Sequence, residues 1–271
     1  MEITASLVKE LREKTGVGMM DCKKALDHSQ GNFEEAIKYL REKGMSAASK
    51  KSDRATQEGQ VFTVTSSDGK NAVILEVNCE TDFVANNDAF KGFGNALAQE
   101  ILNASITGLE QLNSLSLQGK PYADVIAEAV LKLGENISVK RFERVANAAH
   151  ISSYVHMNGK IGVLVQFSDV IDSGLGRDIA MQIAASQPLY VRQEEVPAEE
   201  VAKESDIIKN QAINEGKPAA ILDKVVAGKI SKFFKDICLL EQVFIKDQDK
   251  TVGQLMKAPL TVVKFLRYSL G

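Results

Sequence analysis

Val61-Phe62-Thr63-Val64-Thr65, Ser66-Ser67-Asp68-Gly69 and Ala72-Val73-Ile74-Leu75-Glu76-Val77 read as a strand, a turn and a second strand. β-Branched and apolar residues fill both runs, and Asp-Gly between them supplies the positive φ angles of a tight reversal. The same grammar returns at Ile151 to His156, Met157-Asn158-Gly159 and Ile161 to Phe167. Each hairpin leads into a helical pattern. After the first, Asn86 or Asn87 can cap a helix with Phe90, Phe93, Leu97 and Ile101 on one face; after the second, Ile179, Ile183 and nearby alanines run toward Pro188. Two hairpin-helix units predict a two-part α+β core, one part over residues 59–145 and the other over 146–190 and 239–271.

Upstream, residues 1–45 predict a compact three-helix module. Thr4 caps a first helix carrying Leu7, Val8 and Leu11, and Thr15-Gly16-Val17-Gly18 ends it. A second helix spans Met20 to Asp27. Asn32 and Glu35 form a box-like start to a third, which Gly44 is expected to stop. Residues 46–58 are polar and aperiodic, the pattern of a linker or exposed extension. Within the first core part, Tyr122 to Leu133 is helical in pattern, Gly134 breaks it, and Val139 to Val145 is strand-like. Downstream, Pro197 to Asn214 and Pro218 to Ile237 read as two long helices, with Leu222, Val226, Ile230, Phe233 and Ile237 on one stripe. Strand, short helix and strand follow at Val243 to Ile245, Thr251 to Met256 and Val262 to Leu270. The helical hairpin, residues 191–238, is therefore an arm inserted within the second core part.

The chain has 271 residues, 44% hydrophobic and 25% charged, with a net charge of -3. It is long enough for two or three packed units, and its charge gives no global basic field for direct nucleic-acid binding. Cys22, Cys79 and Cys238 are odd in number and scattered, and the three histidines form no cluster, so neither a disulfide framework nor a metal site is expected. No apolar run reaches the ~18 residues of a membrane span, and a cytoplasmic protein is expected. An enzyme reading finds little support: Gly174-Leu175-Gly176 lacks the third glycine of a dinucleotide loop, and no phosphate-loop lysine motif occurs. No cofactor is implied.

Function is expected where extended pattern gives way to helix, at Glu80-Thr81-Asp82-Phe83-Val84-Ala85-Asn86-Asn87. Phe83 on this connection either folds back under its own helix or is offered to a partner, and Asp82 is either a helix-start carboxylate or part of that offer. Met19 and Met20, on a glycine-flanked turn, are either core filler or adaptable recognition groups. A protein-binding adaptor is the alternative that shares these features.

Gly16-Val17-Gly18-Met19-Met20-Asp21-Cys22-Lys23-Lys24-Ala25-Leu26 and Leu75-Glu76-Val77-Asn78-Cys79-Glu80-Thr81-Asp82-Phe83-Val84-Ala85 resemble the bacterial elongation factor Ts family, as do Leu133-Gly134-Glu135-Asn136-Ile137 and Thr251-Val252-Gly253-Gln254-Leu255. The resemblance implies a guanine-nucleotide exchange factor for elongation factor Tu in translation elongation, acting in the cytoplasm without covalent chemistry. It implies a ubiquitin-associated-like N-terminal module that binds the GTPase, and a coiled-coil arm; core or arm could also mediate self-association. Thr81, Asp82, Phe83 and Val84 would enter the partner near its magnesium and phosphate site and help displace the ion. Arg12, Met19 and Met20 would meet the nucleotide-binding domain, with Lys51, Leu133 and Gly134 bordering the core contact. Gln182 stands where the family often has a partner-contacting histidine, and the chain stops at Gly271 where many members continue into another helix.

Overall fold

A computed structural model describes residues 3–270. The first three helices are α1 (Ala5–Thr15), α2 (Met19–His28) and α3 (Phe33–Lys51). The Thr4 hydroxyl accepts from Leu7 N–H, and Gly16 closes α1 at φ 68°. Asn32 caps α3 by accepting from both Glu34 and Glu35 N–H. Val8, Leu11, Cys22, Leu26, Ala36 and Leu40 fill the small core between the three.

Gly44 does not stop α3, which runs on to Lys51 and makes the first part of the expected 46–58 linker helical. The glycine serves close approach instead. A Cβ at residue 44 would lie 2.9 Å from the Ala127 carbonyl oxygen on α6 (Tyr122–Leu133). Arg41 pairs with Asp124 beside that crossing, and Ala48 packs on the core beyond it.

The core is two three-stranded antiparallel sheets packed face to face. β1 (Glu58–Thr65), β2 (Ala72–Cys79) and β5 (Ser138–Val145) form the first, in the order β1-β2-β5. β6 (His150–His156), β7 (Ile161–Phe167) and β10 (Val262–Ser269) form the second, with β7 central. In both, a hairpin is followed by a helix, and a later strand returns beside the hairpin's second strand. The period of two along β2 serves both layers. Val73, Leu75, Val77 and Cys79 face the cluster under α5 (Asp88–Ala104) and α6, whereas Ala72 and Ile74 join Val61, Ile151, Leu164 and Leu266 between the sheets. Gly162 permits that closeness, since a Cβ there would come 2.4 Å from Val61 Cγ1. α7 (Ser173–Ser186) covers the outer face of the second sheet.

Between the first sheet's elements lie the one-turn helix α4 (Asp82–Ala85) and a small ribbon, β3 (Ser116–Leu117) with β4 (Lys120–Pro121). The second sheet's insert is larger: α8 (Ala198–Asn214), α9 (Ala219–Ile237), the ribbon β8 (Val243–Phe244) with β9 (Asp247–Thr251), and α10 (Val252–Leu255). The expected stripe on α9 is half-buried along its length, because its main cover is a single helix, α8. The chain leaves and re-enters the core side by side. Tyr190 bridges Cys238, and the Leu189 and Tyr190 N–H groups donate to the Ile237 carbonyl at 2.8 and 3.1 Å.

Candidate functional site

β2 ends at the buried Cys79, and its direction carries the chain out of the core into a turn before α4. Thr81 keeps extended geometry at the N-cap of α4, and its hydroxyl accepts from Val84 N–H at 3.4 Å. The helix is then held at its far end. Ala85 is buried and its carbonyl accepts from the Gln60 amide at 2.8 Å, while the Asn86 side chain donates to Asp82 O at 2.9 Å. Val84 packs partly against the first-sheet core and Asn87 caps α5 through Ala89 N–H at 2.8 Å.

Phe83 makes no staple. It is 84% exposed on a helix of four residues anchored on both sides, and Asp82 next to it is exposed as well. Burying a phenylalanine side chain is worth about 1.5–3 kcal/mol, a gain this ring leaves untaken in the free chain.

Below the turn, two loops exchange carboxylates. Glu135 Oε2 accepts from Glu80 and Thr81 N–H, each at 3.0 Å, and Thr81 Oγ1 donates to Glu135 Oε1 at 2.6 Å. In return, Glu80 Oε1 accepts from Asn136 N–H at 2.7 Å, with Arg54 Nη1 at 3.4 Å. That backbone bond, reinforced by the Arg54 charge, holds the Glu80 carboxyl below its ordinary pKa. The Asn136 amide donates to Ser52 O and Arg54 O at 3.2 and 2.9 Å, bringing in the chain that leaves α3. Cys79 Sγ donates to Thr81 O at 3.2 Å; burial, then the Glu135 charge, pushes this thiol up to about 12.

The other expected site residues fall into separate groups. Gly134 closes α6 at φ 80° and its carbonyl accepts from Lys51 Nζ, so those two residues are joined to each other and to the carboxylate exchange beside them. Leu133 is half-buried against the first core. Met19 and Met20 are 53% and 65% exposed at the start of α2, not core filler, and Arg12 is exposed on α1. An open groove of about 250 Å³ runs where the three-helix unit meets the core, lined by Thr15, Ala89, Phe93, Lys132 and Leu133 among others.

Gln182 does not offer its side chain to a partner. It is 1% exposed, and its amide is engaged internally with Gln242, Val243 O and Ile245 N–H. What lies at the surface there is the ribbon it holds, with Val243 and Ile245 exposed.

Sequence reading missed the supporting residues Gln60, Glu135 and Asn136. Their partners lie 25 to 84 residues away, beyond any local spacing rule. The available signal was a glutamate ending the apolar β2 run and a second one directly after the helix-closing Gly134. Among the described residues, no group of three or more His, Cys, Asp or Glu side chains could hold a metal ion, and no helix is long and apolar enough to cross a membrane.

A family model described as Elongation factor TS matches residues 80–271. Elongation factor Ts of Clostridium perfringens (strain SM101 / Type A) is 44% identical over 282 residues, covering 99% of this chain and 93% of the relative. Elongation factor Ts of Symbiobacterium thermophilum is 45% identical over 287 residues, covering 100% of this chain and 92% of the relative.

Proposed function

Because the chain belongs to the elongation factor Ts family, its role is that of a guanine-nucleotide exchange factor for elongation factor Tu, and we propose that it promotes GDP release by inserting Thr81–Val84 near the GTPase's magnesium and phosphate site. The observation that carries this reading is the exposure of Phe83 on a turn that is otherwise fixed.

A nucleotide bound at nanomolar affinity has about 12 kcal/mol of binding free energy. A factor speeds its release only by binding better to states in which those contacts are broken. A buried aromatic hot spot contributes about 2–4 kcal/mol, appreciable beside the ~5.5 kcal/mol of a 10⁴-fold population shift. Phe83 supplies the apolar wedge. Asp82, exposed beside it, would bring a carboxylate into the same contact, where it would compete for hydrogen bonds around the partner's ion. The short helix loses little conformational freedom on docking, because Thr81 and Ala85 are already held.

The other groups would supply the remaining contact. Arg12, Met19 and Met20 present a charge and two adaptable thioethers from a ubiquitin-associated-like module to the nucleotide-binding domain. Lys51, Leu133 and Gly134 border the core contact, and Gln182 acts indirectly by holding the Val243–Ile245 surface. The α8–α9 pair serves as a coiled-coil arm, open to association with a second copy.

Stopped-flow release of labelled GDP from elongation factor Tu tests the wedge. Phe83→Ala is expected to lower release at saturating factor about 30-fold or more, the equivalent of a ~2 kcal/mol hot spot. Wild-type release by the folded variant removes the wedge, and a wild-type chain that binds the GTPase without accelerating release would instead be an adaptor.

A further inference from the structure

The carboxylate exchange beneath the turn has a geometry that a surface contact does not require. Glu135 is half-buried and turns both oxygens to the segment that leads into α4, Oε2 accepting from the Glu80 and Thr81 N–H groups and Oε1 from the Thr81 hydroxyl. The Glu80 and Thr81 N–H groups would otherwise lack an acceptor, because β2 has just ended and α4 has not begun. The Thr81 hydroxyl serves two partners at once. Its proton goes to Glu135 Oε1 at 2.6 Å, which leaves a lone pair directed at Val84 N–H. The carboxylate therefore selects the hydroxyl orientation that caps α4, and α4 sets the direction of Phe83 two residues later. Glu80 returns the bond to Asn136, so the α6–β5 loop and the β2–α4 loop cannot shift independently.

We propose that Glu135 is a positioning residue for nucleotide exchange: it fixes the direction of Phe83 through the Thr81 cap and does not itself meet the partner. The proposal rests on Phe83 being the wedge, and the test separates the two. Labelled-GDP release would be measured against factor concentration for Glu135→Ala, Glu135→Gln, Phe83→Ala and the double variant Phe83→Ala/Glu135→Ala. Glu135→Ala is expected to lower the saturating release rate about tenfold, as small misplacements of a working group do. Its half-saturating concentration should move less than about threefold, because the exposed docking residues are unchanged. Glu135→Gln should recover only part of the rate, since its amide oxygen still accepts both N–H bonds but its NH2 group cannot accept the Thr81 hydroxyl proton. The double variant should release no more slowly than Phe83→Ala alone.

Wild-type release by Glu135→Ala, with Phe83→Ala slow, overturns the positioning role and leaves the wedge standing. So do losses that simply add in the double variant, which would mean that Glu135 acts elsewhere. Wild-type release by Phe83→Ala overturns the wedge itself. Should Glu135→Ala fail to fold, Thr81→Val removes the hydroxyl link at nearly constant shape, and its rate loss must likewise vanish in the Phe83→Ala background.

Discussion

The Gln182 amide accepts from Ile245 N–H at 2.8 Å, and its nitrogen lies 3.1–3.2 Å from Ser186 Oγ, Gln242 Oε1 and Val243 O, of which its two protons serve two at a time. A leucine there would fill the space and strand those groups. Gln182→Leu is expected to cost about 1–3 kcal/mol per group left unsatisfied, read from chemical denaturation; a midpoint equal to wild type would show that water replaces the amide. Phe83 illustrates the opposite outcome for a residue whose type usually lies inside. Sequence located both positions on the right elements, since Phe83 sits at the strand-to-helix change and Gln182 on the helix after the second hairpin. It could not assign their exposure. That depends on Gln242 and the start of β8, 60 and 61 residues from Gln182, and on how Thr81 is held by a residue 54 positions away.

Helix starts were legible because caps are local: Thr4, Asn32 and Asn87 each accept from N–H groups two or three residues ahead. Helix ends were less so, because glycine has two uses. Gly16 and Gly134 adopt left-handed backbone and close their helices, whereas Gly44 stays helical and lets α3 lie on α6. The two uses make opposite predictions for one substitution. In an uncrowded helix interior, glycine to alanine stabilises by about 1 kcal/mol. At Gly44 the new methyl would meet the Ala127 backbone oxygen at 2.9 Å, so Gly44→Ala should lower the thermal midpoint, by several degrees. A raised midpoint would mean that α3 and α6 separate freely. The half-polar stretch after Gly44 hid the rest of α3, since its packing side is little more than Ala48.

Across the whole molecule, the hairpin repeat read from two turn signals corresponds to two sheets of like construction, while their face-to-face packing was not legible. It rests on residues such as Ile74, Leu164 and Leu266 meeting from distant strands. All three thiols lie inside this assembly: Cys22 in the helical unit, Cys79 under the first sheet's helices and Cys238 directly after α9, where it bridges Tyr190. Burial raises each of them, to about 12 for Cys79 and about 11 for Cys238. A folded pKa above the ordinary 9.0 means that folding favours the neutral thiol, so this contribution is complete below pH 9 and is lost as pH rises through the folded values. An aromatic disulfide reagent at pH 8 should therefore find no reactive thiol until the protein opens, and all three after denaturation; rapid labelling of the native chain would contradict the buried placement. The paired exit and return at Tyr190 and Cys238 has a separate consequence. To the second sheet, everything from α8 to α9 is a loop whose ends are already joined, so the length of that excursion is not felt by the strands it interrupts. The position is a natural port, where a longer, shorter or foreign segment could be grafted while the face bearing Phe83 keeps its shape.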